Sequence, residues 1–397
     1  MPATSRALTA AVVLLVGVGV SVPAAASPLR DAHLPARGAG AVHVLRAAPV
    51  AACSNATRLK RWRLRRLAEQ TVVVPAEETD VAAVTRQVAA GAGGVILFGS
   101  AAPASLGRAL SRLSRVARGG IAPLVMTDEE GGAVQRMANL VGDIPAARTM
   151  ADTMTPRQIR RLAHRAGLRM RAAGVTMDLA PVLDLDGRPG PSATNPDGTR
   201  SFSPHRRVAT TDGLAFATGL RRAGVVPVVK HFPGLGGATA NTDVAPAATR
   251  PWPQLRRNGL RPFAAAVANG FPAVMVANAT VPGLARLPAT LSPAVVRRVL
   301  RRRLGFSGLV ITDSLSAVAI RDAGFGVPSA SVQALRVGVD LVEYGAAPSQ
   351  VGRVTRSTVH AIVAAVRSGR LPARRLRAAV LHVLAVKHVD LCALAGR

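Results

Sequence analysis

The chain has 397 residues, of which 49% are hydrophobic, 18% charged and 3% aromatic, which allows a large buried core and excludes disorder over most of its length. A net charge of +30 first suggests a polyanion partner, yet basic residues recur in almost every expected helix and only Lys60, Lys230 and Lys387 are lysines. With no zinc-finger, RNA-binding or basic-zipper pattern, the charge argues against a nucleic-acid binder and leaves a basic surface expected to adhere to anionic cell-envelope polymers.

In chain order, Arg6 closes a short polar start, Leu8 to Val22 is apolar, and Ala24-Ala25-Ala26 precedes Ser27. This pattern predicts a secretory signal over residues 1–26 and a secreted or cell-envelope protein; the alternative, a retained anchor, needs a longer apolar run of about 20 residues. Residues 27–55 are Ala, Pro, Gly and Arg without periodicity and are expected to form a flexible leader, with order beginning near Arg58.

From there to the end, short apolar runs alternate with longer amphipathic stretches. The strand candidates are Gln70 to Pro75, Gly94 to Phe98, Pro123 to Thr127, Thr176 to Leu179, Val225 to Val229, Ala273 to Ala277, Leu309 to Thr312 and Asp340 to Val342. Helical spacing runs over Pro156 to Ala173, Pro204 to Arg222, Gln254 to Asn269, Ser292 to Leu304 and Gln350 to Arg367. Strands buried on both faces and separated by helices imply a parallel sheet with right-handed crossovers. Eight such units predict an α/β fold closed as a single-domain (β/α)8 TIM-type barrel over residues 56–397. An open doubly wound sheet would carry a Gly-rich turn after its first strand, where this chain has Val74-Pro75-Ala76-Glu77.

A barrel brings its termini together, so Cys53 and Cys392 are expected to form one disulfide in an exported protein, against the alternative of two free thiols. Polar residues gather just after the expected strands, where barrel enzymes assemble their sites: Asp128 after the third, Asp178 and Asp184 around the fourth, Lys230 and His231 after the fifth, Asn278 after the sixth and Asp313 after the seventh. One Asp after a strand is ordinarily a helix cap or turn former. Their joint presence on one rim supplies what cleavage of a sugar needs: a carboxylate for the anomeric carbon, Asp313, and charged donors and acceptors for hydroxyls, Asp128, Arg136, Arg200, Lys230 and His231. The eight His are dispersed, with no pair at helical spacing and no Cys/His set, so neither a metal nor another cofactor is expected.

Several stretches, in order, carry a family resemblance: Gly94-Val-Ile-Leu-Phe-Gly99, Thr127-Asp-Glu-Glu-Gly-Gly-Ala-Val-Gln-Arg136, Leu179-Ala-Pro-Val-Leu-Asp184, Arg200-Ser-Phe202, Lys230-His-Phe-Pro-Gly234, and Pro288-Ala-Thr-Leu-Ser292 leading to Leu304-Gly-Phe-Ser-Gly-Leu-Val-Ile-Thr-Asp-Ser-Leu-Ser316. Over residues 60 to 345 the chain resembles glycoside hydrolase family 3, in the single-domain branch similar to bacterial β-N-acetylhexosaminidases. The resemblance implies that Asp313 is the nucleophile, that Asp128, Arg136, Arg200, Lys230 and His231 hold the terminal sugar, and that the enzyme is an exo-acting, retaining β-glycosidase acting on cell-wall or chitin-type fragments. A monomer with a carbohydrate substrate is expected. One stretch departs from the family. Its loop carries an Asp-x-His pair whose His is the acid/base, whereas here Leu235 to Asp243 puts Asn241 and Asp243 at those places. Asp243 is therefore the candidate acid/base, since a carboxyl raised by burial beside the nucleophile can serve. The alternatives are a saccharide-binding protein that has lost catalysis, and a β-glucosidase of the same family.

Overall fold

The computed structural model describes residues 53–394; the expected signal, and all of the expected leader but its last three residues, lie outside this range. Seven parallel strands follow one another in the order β1 (Val73–Glu77), β2 (Gly94–Phe98), β3 (Leu124–Thr127), β6 (Met177–Asp178), β7 (Val226–Phe232), β8 (Ala273–Val276) and β9 (Leu309–Thr312), with a small antiparallel hairpin of β4 (Glu129–Gly131) and β5 (Val134–Gln135) between β3 and β6. The circle closes through Leu341 and Val342, which bridge to Ile311 on one side and Val72 on the other. Hydrogen bonds from Thr312 N to Leu341 O (3.1 Å) and from Val342 N to Thr71 O (2.9 Å) complete the eighth stave. The expected barrel is the fold.

Alternation along each strand explains why these apolar runs build a barrel. Val73, Ile96, Leu124, Met126, Met177, Val228, Ala273, Met275, Leu309, Ile311 and Leu341 point inward and pack together as the barrel's interior. Their neighbours Val72, Val74, Val95, Leu97, Val125, Val229, Val274, Val276, Val310 and Val342 point outward into a larger core under the helices. The lower end of the barrel is stoppered by Val383 and Val386 of the helix Ala373–Val386. Two glycines show how closely the first strands approach their neighbours: a side chain at Gly93 would lie 2.1 Å from Gln70 O, and one at Gly94 would lie 2.8 Å from Met126.

Helices fill the intervals, the longest being Pro156–Ala172, Arg206–Arg222 and Pro348–Arg367. The first of these has a capping box in which Thr155 and Gln158 satisfy each other's backbone N–H groups. Some boundaries differ from the sequence reading. The first strand starts later than expected because Gln70 caps the helix Leu64–Glu69. The fourth is reduced to two paired residues, and the fifth extends through Lys230 and His231 to Phe232. The described residues ahead of Arg58, where order is expected to begin, are tied down: Cys53 and Cys392 are bonded, and Asn55 both donates to Val389 O and accepts from Leu391 N, at 2.7 Å each.

Candidate active site

The site lies at the carboxyl ends of the strands, in a cavity of about 410 Å³. Asp128, Arg136, Arg200, Lys230, His231, Asp243 and Asp313, the seven expected site residues, all line it. Asp178, Asp184 and Asn278 do not line it and act behind its walls: Asp178 accepts from Glu129 N at 3.0 Å, and Asn278 donates to Ser314 O at 2.7 Å.

One wall is a ladder of alternating charge. Lys230, delivered by the extended end of β7, places Nζ 2.7 Å from Asp128 Oδ1 and 2.6 Å from Glu130 Oε1. Arg200, on the turn Gly198–Arg200, grips both oxygens of Glu130 at 2.8 Å, and Arg136 stands 3.9 Å from the other oxygen of Asp128. Glu130, at the centre, belongs to the Thr127–Arg136 stretch but is not among the residues the sequence marks for holding a sugar. The β4–β5 hairpin turns its side chain inward, with the backbone at Gly131 in the left-handed region (φ 98°) and no room for a side chain there. Burial alone would raise Glu130, but Arg200 and Lys230 hold its carboxyl far below the usual range. Lys230 is in turn held well above its ordinary value by Asp128 and Glu130, against the effect of burial. Such a fixed ladder presents N–H donors and carboxylate acceptors to vicinal hydroxyls without reorganising.

His231 is buried beside this ladder. Asp184 Oδ2 takes both its backbone N–H (3.0 Å) and its ring Nδ1 (2.6 Å), while Asp184 Oδ1 accepts from Leu235 N at 2.6 Å. With Nδ1 so engaged, Nε2 is left for the cavity. Burial and the charge of Arg200 push the imidazole down to about 4, so the ring is neutral near pH 7. Asp184, pushed up to about 7 by burial, also fixes the following loop through Leu235 N, and Gly236 packs so tightly on Leu185 that a side chain there would lie 2.2 Å from its carbonyl oxygen. Asp184, Asp197 and His231 offer ligand atoms within 4.8 Å of one another, the one grouping of metal-ligand type found among the described residues. Within that group, His231 Nδ1 and Asp184 Oδ2 are already hydrogen-bonded to each other.

The opposite wall holds the reacting carboxylate of the sequence reading. Asp313 follows β9, is half-buried, and has one oxygen fixed by Ser314 N at 2.8 Å. Burial and then the Asp243 charge raise it, and the Ser314 N–H and Lys230 offset this only in part. The loop Leu235 to Asp243 spans the mouth. Asn241 N donates to Ala193 O at 2.8 Å on one side, and Thr242 O accepts from Ala319 N at 3.0 Å on the other. The turn is made by Asn241, whose side chain accepts from Asp243 N at 3.0 Å. The Asp243 carboxyl makes no hydrogen bond or ion pair among the described residues and is open to solvent on one side; partial loss of water raises it. A further carboxyl lines the cavity that the sequence reading did not single out: Glu343, just beyond the eighth stave and 4% exposed.

Comparison with known proteins gives a consistent picture. The family description "Glycosyl hydrolase family 3 N terminal domain" matches residues 67–386. Beta-hexosaminidase LpqI of Mycobacterium tuberculosis is 37% identical over 284 residues, which are 68% of this chain and 70% of that one. An uncharacterized secreted glycosyl hydrolase of Arthroderma benhamiae is 34% identical over 253 residues, 62% of this chain and 69% of that one. The crystal structure of a family 3 glycosyl hydrolase from Mycobacterium smegmatis superposes with a TM-score of 0.74 at 34% identity, covering 84% of this chain and 98% of that one.

Proposed function

This chain belongs to glycosyl hydrolase family 3 and is a glycoside hydrolase; from that premise we propose that it is a secreted, exo-acting, retaining β-N-acetylhexosaminidase whose nucleophile is Asp313. The observation that carries the reading is that Asp313 and the Lys230–Asp128–Glu130–Arg200 ladder line a single small cavity. At about 410 Å³ that cavity is at the lower end of ligand-site volumes. A terminal sugar fits the arrangement, with its far hydroxyls on the ladder and His231 and its anomeric carbon above Asp313.

In this reading Asp313 attacks to form a glycosyl ester and water then releases it. Neutral His231 and the paired Lys230 and Arg200 orient the ring, and because they are fixed before substrate arrives, little reorganisation is needed in the transition state. The loop in place of the family's Asp-x-His pair contributes Asp243 to the side where the proton is exchanged. The name of the Mycobacterium tuberculosis relative supports an N-acetylhexosamine substrate, and the secreted fungal relative supports export, so cell-wall or chitin-type fragments are the leading substrates.

The test is release of 4-nitrophenol from the β-N-acetylglucosaminide and from the β-glucoside. The first should be the better substrate; preference for the second would make the protein a β-glucosidase, and no turnover of either by the folded protein would overturn the hydrolase reading. The altered loop supports one rival, a saccharide-binding protein without catalysis. Measurable hydrolysis abolished by Asp313→Ala rejects it.

A further inference from the structure

We propose that Glu343 is the carboxylic acid that holds and delivers the proton in this site, with Asp243 as its negatively charged neighbour. The proposal rests on the hydrolase reading above and names the proton donor that reading requires.

The barrel register places Glu343 beside Asp313. Leu341 pairs with Ile311 in parallel, Glu343 N donates to Thr312 Oγ1 at 2.9 Å, and Leu315 N donates to Glu343 O at 3.0 Å. Asp313 is the first residue beyond its strand, Glu343 the first beyond the next stave, and both line the same cavity. Adjacent strands are about 4.8 Å apart. That spacing suits the separation of about 5–5.5 Å between the two carboxyl groups of a retaining glycosidase.

The charges around the cavity separate the two carboxyls by role. Asp128, Glu130, Asp243, Asp313 and Glu343 face it, against Arg136, Arg200 and Lys230. The three cations are committed to Asp128 and Glu130. Lys230 still favours an anion at Asp313, one oxygen of which is also held by Ser314 N. Glu343 forms no ion pair among the described residues; the charges that act on it most are those of Asp313, Asp128 and Asp243, and the Ser314 hydroxyl favours its anion. On its other flank, the end of β1 continues into Glu77 and Glu78, which bring no cation. An unpaired buried carboxylate is costly, so this group takes up a proton instead. Burial and then the three carboxylates raise it well above the usual range. Burial raises Asp313 as well; what divides the pair is the Lys230 charge and the Ser314 N–H at Asp313 against the carboxylates around Glu343, the contrast that marks the base and the acid of a pair.

In the first step the Asp313 carboxylate forms a bond to the anomeric carbon, the glycosidic C–O bond breaks, and the leaving oxygen keeps the electron pair and takes the Glu343 proton. In the second, Glu343 takes a proton from water as its oxygen attacks the same carbon and the ester bond to Asp313 breaks. The sugar leaves as a hemiacetal and both carboxyls return to their starting states.

The experiment compares wild type, Glu343→Gln, Glu343→Asp, Asp243→Asn and Asp313→Asn in the full chain, on nitrophenyl glycosides of graded leaving-group acidity and on a disaccharide, with and without azide. Glu343→Gln should slow the disaccharide about 10²–10⁴-fold and activated aryl glycosides far less, with azide restoring turnover as the glycosyl azide. Glu343→Asp, which keeps an acid, should show a weaker dependence on the leaving group. Asp243→Asn removes a neighbouring charge, so it should shift the alkaline limb of the pH profile to lower pH without azide rescue. Equal losses on all substrates for Glu343→Gln, or selective loss and azide rescue in Asp243→Asn instead, would overturn the assignment. Wild-type turnover abolished by Asp313→Asn establishes the hydrolase reading separately; absence of any wild-type turnover overturns both.

Discussion

Asp313 and Asp197 are both carboxyls of the catalytic end, yet substitution by the neutral amide should act on them in opposite ways. At Asp313, the proposed nucleophile, an amide cannot form the glycosyl ester, so Asp313→Asn should lower turnover of an activated aryl glycoside by more than about 10³-fold, as loss of a covalent nucleophile does; a variant keeping a tenth of the rate would place the nucleophile elsewhere. Asp197 is fully buried with neither oxygen partnered among the described residues, and burial pushes it up to about 8. An acid raised in the folded state but ionising near pH 4 when unfolded makes folding progressively less favourable as pH rises from about 4 to about 8. Asp197→Asn should therefore raise the thermal midpoint at pH 8, with the gain shrinking toward pH 4. A loss of stability at pH 8 would mean that an ionised Asp197 supports Arg200 or His231. The residues legible in the sequence were those directly after strands, where Asp128, Lys230, His231 and Asp313 stand out from apolar runs. Glu130 was harder to read because its inward direction depends on a hairpin of two very short strands, and Glu343 because its chemistry comes from what surrounds it rather than from a motif.

The strands could be read from the chain because alternate residues face two apolar environments, which leaves unbroken runs such as Leu309-Val-Ile-Thr312. Strand ends could not be read as well: whether Gln70 caps a helix or starts a strand depends on tertiary contacts, among them its side chain's bonds to Gly91 O and Lys387 Nζ. The same limit applies to Asp340, expected to open the last strand, which instead anchors the lower end of the barrel, with Arg301, Arg375 and His382 around a fully buried carboxyl. Burial would raise it, but the His382 hydrogen bond and the two guanidinium groups pull it below its usual value. Its contribution is present above about pH 4 and is lost as pH falls through the lowered value. Asp340→Asn, which leaves the partly buried Arg301 and Arg375 without their counterion, should cost about 3–5 kcal/mol in chemical denaturation at pH 7 and progressively less as pH falls below about 4; a cost that does not change with pH would show that packing rather than charge is responsible. The disulfide that joins the two ends of the described chain closes a loop of 339 residues, so reduction should lower stability by about 2–5 kcal/mol. An unchanged midpoint after reduction, confirmed by mass spectrometry, would assign the clamp to Asn55 instead.

For the molecule as a whole, charge and chemistry are segregated. The carboxyl-rich cavity belongs to a protein of net charge +30, and a larger cavity of about 730 Å³ elsewhere is lined by Arg188, Arg206, Arg207, Arg250 and Arg257. That surface fits the expected attraction to anionic envelope polymers, so retention on a polyphosphate column should fall steeply with salt and should weaken in an Arg206→Ser/Arg250→Ser/Arg257→Ser variant while turnover of a nitrophenyl glycoside persists. Retention unaffected by salt would remove charge as its cause. The barrel's directionality has a practical consequence. Cys53 is bonded beside the helix whose Val383 and Val386 stopper the lower end, while the catalytic cavity opens at the upper end. A bead, a sensor surface or a fusion partner coupled at the Cys53 end would thus hold the enzyme by its base, leaving the mouth free toward a glycoside presented in front of it.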